Sequence, residues 1–164
     1  MKDKTFNQIF NLINIDISDT YGYFSIHNAL FERKAQRLKA GSYGGYEVNN
    51  LVGEFNKAVN DKSSELLDKI TNMFKESGRN LSDEQYNTLI SNCSKTFATI
   101  IDNYYKVFQK EFEFNRTIET NLNCLKGNTT HKISCRIKAL IWRRPIRQRS
   151  KGEQVSGHKE TFRC

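Results

Sequence analysis

A single proline, Pro145, stands in 164 residues. Proline removes a backbone donor and breaks helices, so nothing of that kind limits helix length before position 145. Long apolar runs are missing as well. No stretch approaches the ~18–20 apolar residues that cross a bilayer, and no transmembrane helix is expected. The opening residues, MKDKTFNQIFNLINIDISDT, show no apolar run ahead of a small-residue cleavage site, so no secretory signal is read there. Cysteine is scarce: Cys93, Cys124, Cys135 and Cys164 lack the spacing of a disulfide framework. Reduced thiols and a cytoplasmic location are the expectation.

Catalytic signatures are absent too. The one glycine-rich loop, GSYGGY at Gly41–Tyr46, lacks both the Gly-Lys-Ser/Thr ending and the preceding strand of a phosphate-binding loop. It reads as a chain reversal between helices. His27, His131 and His158 form no HExxH and accompany no nucleophile motif. His27 follows Asp16 and Asp19 in sequence, but a base also needs a nucleophile or a substrate pocket, and a hydrogen-bonded histidine is the plainer reading. The acid pairs Asp16/Asp19, Asp83/Glu84 and Glu111/Glu113 read as solvated helix faces. No enzyme is expected and no cofactor is implied.

What the chain does hold is helical period. Phe6, Ile9, Phe10, Ile13 and Ile17 share one face, and Ser18–Gly22 interrupts the pattern. Ser25 then reads as the cap of a second short helix to about Ala40, with Ile26, Ala29, Leu30 and Leu38 inward and Arg33, Lys34, Arg37 and Lys39 outward. Gly41 supplies a helix stop. The strongest stripe runs from Val48 through Leu51, Phe55, Val59, Leu66 and Ile70 to Phe74, and Gly78 ends it. Ser82 with Gln85 three residues on forms a capping box. It opens a helix through Leu89, Cys93, Phe97, Tyr104 and Phe108, expected to continue to Ile118 or Leu122. The fold expected is all-α: a long antiparallel helical hairpin with two shorter N-terminal helices, like a four-helix bundle, and a flexible basic C-terminal tail.

The net charge of +8 is unevenly placed. Residues 1–125 hold 15 Lys and Arg against 16 Asp and Glu, a net −1, whereas residues 126–164 hold 11 against 2, a net +9. The division expected is therefore a helical domain over 1–125 and a poorly ordered basic tail over 126–164. Composition changes along with charge: all 17 asparagines lie at or before Asn128. The switch reads equally as a true basic arm or as a junction or change of frame in an A+T-rich gene. Ile133, Ile137, Leu140 and Ile141 would share a face if this segment coiled. Arg136, Lys138, Trp142, Arg143, Arg144, Arg147 and Arg149 are the candidate contacts to nucleic acid or an anionic surface. Cys124, His131, Cys135, His158 and Cys164 are of the ligand types zinc prefers, but no close C-x2-C pair holds them together.

Two functions are consistent with these features. The first is a non-enzymatic helical interaction or accessory protein that acts through its helix faces and self-associates, with a protein partner or its own copies bound by coiled-coil-like packing. The second is a nucleic-acid-binding protein whose arginine-rich tail contacts phosphates; an anionic membrane surface is a weaker variant of the same chemistry.

Overall fold

The computed structural model describes residues 5–41, 45–112 and 116–141. Four helices account for nearly all of them: α1 over Phe6–Ala40, α2 over Gly45–Ser77, α3 over Asp83–Glu111 and α4 over Arg116–Lys138. The all-α, bundle-like expectation holds. Among the described residues no helix is long and apolar enough to cross a membrane.

The N-terminal third differs from its sequence reading. One helix of 35 residues replaces two short ones, and at ~1.5 Å per residue it spans ~52 Å. Thr5 starts it with a capping box. Its hydroxyl accepts from the Gln8 amide at 3.1 Å, and the Gln8 side chain accepts from the Thr5 amide at 2.8 Å. The polar stretch at Ser18–Gly22 does not break it. Thr20 turns its hydroxyl back onto the Asp16 carbonyl at 2.9 Å, which satisfies the side chain within the helix. The buried face runs unbroken in phase through Ile9, Ile13, Ile17, Thr20, Phe24, Phe31 and Ala35. Ile26 and Leu30, expected inside, point out.

Packing partners define a square. α1 lies against α2 and α3, and α4 lies against the same two. α1 and α2 are antiparallel, since Phe6 meets Phe74 while Lys34 meets Glu54. α3 and α4 are antiparallel likewise, with Tyr86 beside Ser134 and Asp102 beside Lys126. Two helical hairpins therefore pack face to face. Consecutive helices α2 and α3 sit on a diagonal, not side by side. Neighbouring axes are ~8–10 Å apart, so the diagonal is ~11–14 Å. The five residues 78–82 reach ~17 Å when extended, which is enough.

That link is shaped by its sequence. Gly78 has φ +69°, a left-handed conformation that only glycine adopts without strain. Its amide donates to the Phe74 carbonyl at 3.0 Å. Leu81 is buried, and its amide donates to the Leu140 carbonyl at 2.9 Å. The segment after α4 thus closes this end of the bundle. The Ser82–Gln85 capping box is present, with bonds of 3.1 and 2.9 Å.

The middle of the core is aromatic. Phe55 stacks on Tyr104 with centroids 3.7 Å apart, and Phe31 lies 4.2 Å from the same ring. Phe24 meets Phe55 and Phe97 edge-on. Tyr104 is fully buried, and its hydroxyl donates to the Leu51 carbonyl at 2.9 Å. This pins α2 to α3 across the diagonal. Burial also pushes the Tyr104 phenol well above its ordinary range.

Ion pairs lie along all four seams: Lys34–Glu54, Lys110–Glu32, Lys126–Asp102 and Arg136–Asp68. Pairs this exposed add little stability each. Together they favour this arrangement of neighbours over others.

α3 ends at Glu111 rather than continuing to Leu122. α4 begins at Arg116 and crosses position 125 without a break. Its buried face is Ile118, Leu122, Leu125, Thr129, Ile133 and Ile137, at steps of three and four residues. The helical phase carries straight through the change in composition after Asn128.

Candidate interaction surface

α1 carries two apolar stripes. One faces the core. The other is formed by Leu12, Ile15, Ile26 and Leu30, which are 37%, 55%, 67% and 49% exposed. Their spacing, with Gly22 between, places all five on one outward face. Of the seven large hydrophobic side chains exposed among the described residues, six belong to this one helix. Scattered exposed hydrophobics are ordinary; here two pairs, Leu12/Ile15 and Ile26/Leu30, are aligned on one face with Asp19 and Gly22 between them, which makes this face the candidate contact surface.

Gly22 is the odd member. It sits mid-helix, where glycine is less favourable than alanine by roughly 1 kcal/mol. A Cβ built there meets nothing within 4 Å. No close approach inside the fold requires a glycine at this position.

Beside the stripe, α1 and α2 enclose a shallow cleft of about 180 Å³, lined by His27, Leu30, Arg33, Arg37 and the Lys34–Glu54 pair. His27 packs against Tyr23, Phe24 and Phe55. Its Nδ1 is buried without a hydrogen-bond partner. Desolvation first, and then the Lys34 charge, lower its pKa, with Glu54 acting in the opposite sense. Neither Asp16 nor Asp19 lines this cleft; both border a separate one with Lys62 and Lys69. His27 thus sits with its ring packed among aromatic side chains and beside Arg33, Lys34, Arg37 and Glu54.

The sequence-selected residues fall as follows. Arg136 lies on α4 and donates to Asp68 across the α2 seam at 2.7 Å, so its charge is used within the fold. Lys138 is exposed at the last position of α4. Trp142, Arg143, Arg144, Arg147 and Arg149 lie outside the described residues. Among the described residues no three metal-ligating side chains converge. Cys135 and His131 are neighbours at 3.5 Å, one helical turn apart; Cys124 is disulfide-bonded, against the expectation of reduced thiols; His158 and Cys164 lie outside the described residues. Cys93 is buried, and burial pushes its thiol up to about 12, which leaves it inert at neutral pH.

The described residues thus form a four-helix bundle of two stacked hairpins, with an exposed apolar face on α1 among them. No protein-family model matches it, and no curated protein or solved structure shows significant similarity to it.

Proposed function

We propose that this protein is a non-enzymatic interaction module that self-associates through the outer face of α1. The observation that carries the reading is the aligned exposure of Leu12, Ile15, Ile26 and Leu30 on a helix whose opposite face already fills the core. Burying such side chains contributes ~1.5–3 kcal/mol each when complete, and only another molecule or another segment can supply that burial. The cleft beside His27 holds about 180 Å³, and the ring's contacts there are with Tyr23, Phe24 and Phe55. Sedimentation of the full chain from about 1 µM to about 1 mM tests the reading. The weight-average mass should rise towards that of a dimer, and Ile26→Glu should hold it at monomer. A wild-type chain that stays monomeric throughout rejects it.

A second reading rests on the +9 net charge of residues 126–164: an arm that binds nucleic acid. Counterion release makes such binding fall steeply with salt. Replacing Arg143, Arg144, Arg147 and Arg149 by glutamine should then flatten the salt dependence of DNA or RNA binding. Equal slopes for the two chains exclude the arm.

A further inference from the structure

We infer that the cleft between α1 and α2 binds a small phosphate monoester, its phosphate held by Arg33 and Arg37 and its apolar body resting on Leu30 and the ring of His27. This site stands apart from the self-association surface and shares only Leu30 with it.

The cleft is divided along its length. All its lining residues except Glu54 belong to α1, so chain order gives their order along the helix axis. His27, Leu30 and Phe31 come first, and Arg33, Lys34 and Arg37 follow. The first end is uncharged. Phe31 is buried, and burial is the main cause that lowers the pKa of His27, which keeps the ring neutral at pH 7. The other end is cationic.

Charge selects the ligand. Glu54 is the one acid in the lining, and it already pairs with Lys34 at 3.2 Å. Arg33 and Arg37 form no ion pair among the described residues. They stand four residues apart, a spacing at which like charges oppose a helix. The helix dipole favours Arg37 in the last turn, but Arg33 lies a turn further in and gains less from it. Two guanidinium groups without a counter-charge suit one dianion. A phosphate monoester carries about −1.5 to −2 near pH 7, and its oxygens match the paired N–H donors of arginine. A carboxylate would leave half of this charge unmet.

Size and spacing limit the rest. Leu30 precedes Arg33 by ~4.5 Å and Arg37 by ~10 Å along the axis at ~1.5 Å per residue, a reach that one ring joined to a phosphate covers. The cleft holds about 180 Å³, less than the ~300–1,000 Å³ of sites that take a drug-sized molecule. A second cleft of about 330 Å³ shares Lys34 and Arg37 but is bordered by Glu47, whose charge repels a phosphate. The phosphate therefore sits on the Arg33 side of Arg37. Contacts this few and this exposed give a weak complex, with a Kd of ~1 mM.

Phenyl phosphate titrated into the full chain, followed by amide NMR shifts, tests the site. The shifts should saturate and be largest over residues 27–37 and around Glu54. Inorganic phosphate, which lacks the body, and phenol, which lacks the charge, should each bind at least about ten-fold more weakly. Arg33→Gln with Arg37→Gln should weaken phenyl phosphate about ten-fold or more. Lys95→Gln with Lys106→Gln makes the same change in net charge on α3 and should leave the Kd at its wild-type value. All four side chains are exposed, so both double variants should keep the wild-type Tm. Shifts confined to other residues overturn the site, as does an arginine double variant that binds like wild type or a lysine double variant that loses as much as the arginine one. Inorganic phosphate or phenol binding as tightly as phenyl phosphate overturns the class of ligand.

Discussion

His27 shows how one side chain can be half inside a bundle at a measurable expense. Its ring is packed among Tyr23, Phe24 and Phe55, and its Nδ1 has no partner. Burial and the Lys34 charge resist protonation in the folded state, so the folded pKa lies below the unfolded one. The unfolded chain takes up its proton near pH ~6.5. Below that pH the unfolded state binds more protons than the folded state, and stability falls as pH drops. His27→Leu removes the titration and keeps the apolar contacts. Urea denaturation between pH 5 and 7.5 should show wild-type stability declining towards pH 5 and a flatter profile for the variant. Equal slopes would mean that other groups dominate.

At the scale of elements, the ends of the helices carry specific chemistry. Gly78 at φ +69° lets α2 stop and the chain turn across the bundle. A Cβ finds space there, so the penalty for Gly78→Ala is conformational alone, roughly 1–2 kcal/mol. Ser82→Ala removes the acceptor of the Gln85 amide and should lose roughly 0.5–2 kcal/mol. Thermal melts of the two single variants and the double variant would check both. The same elements show what could be read in advance. α2 and α3 were legible because each carries one continuous stripe and because Ser82 and Gln85 mark a start. α1 was not, because Asp19, Thr20 and Gly22 look like a break. In the helix Asp19 and Gly22 lie on the outer face, and Thr20 is satisfied by Asp16. A helix boundary at Ser25 resets the helical phase, turns Ile26 and Leu30 inward and hides the second stripe. Following Ile9, Ile13, Ile17, Thr20, Phe24 and Phe31 as one series restores both faces. The end of α3 at Glu111 had a sequence signal, since an acid falls where the seam of Ile90, Phe97 and Tyr104 would next require an apolar residue.

At the scale of the molecule, the diagonal arrangement makes α4 a full member of the core rather than an appendage. It seals both α2 and α3, and the residues just beyond it hold Leu81 in place over the bundle end. A division at residue 125 would cut through this helix. Cutting there removes Thr129, Ile133 and Ile137 from the interior, together with the partly buried Leu140 and Ile141. Two fully buried isoleucines alone contribute ~3–6 kcal/mol by burial, and the faces of α2 and α3 they cover would be opened to water as well. Against a typical total stability of ~5–15 kcal/mol, that loss takes most of the margin. A chain ending at Leu125 should therefore show non-cooperative melting and bind a hydrophobic dye. A chain ending at Ile141 keeps every core residue named here and should melt cooperatively with helical circular dichroism. Cooperative melting of the shorter chain at the same temperature would show that three helices hold the core without α4, and would return residues 126–141 to the status of a tail.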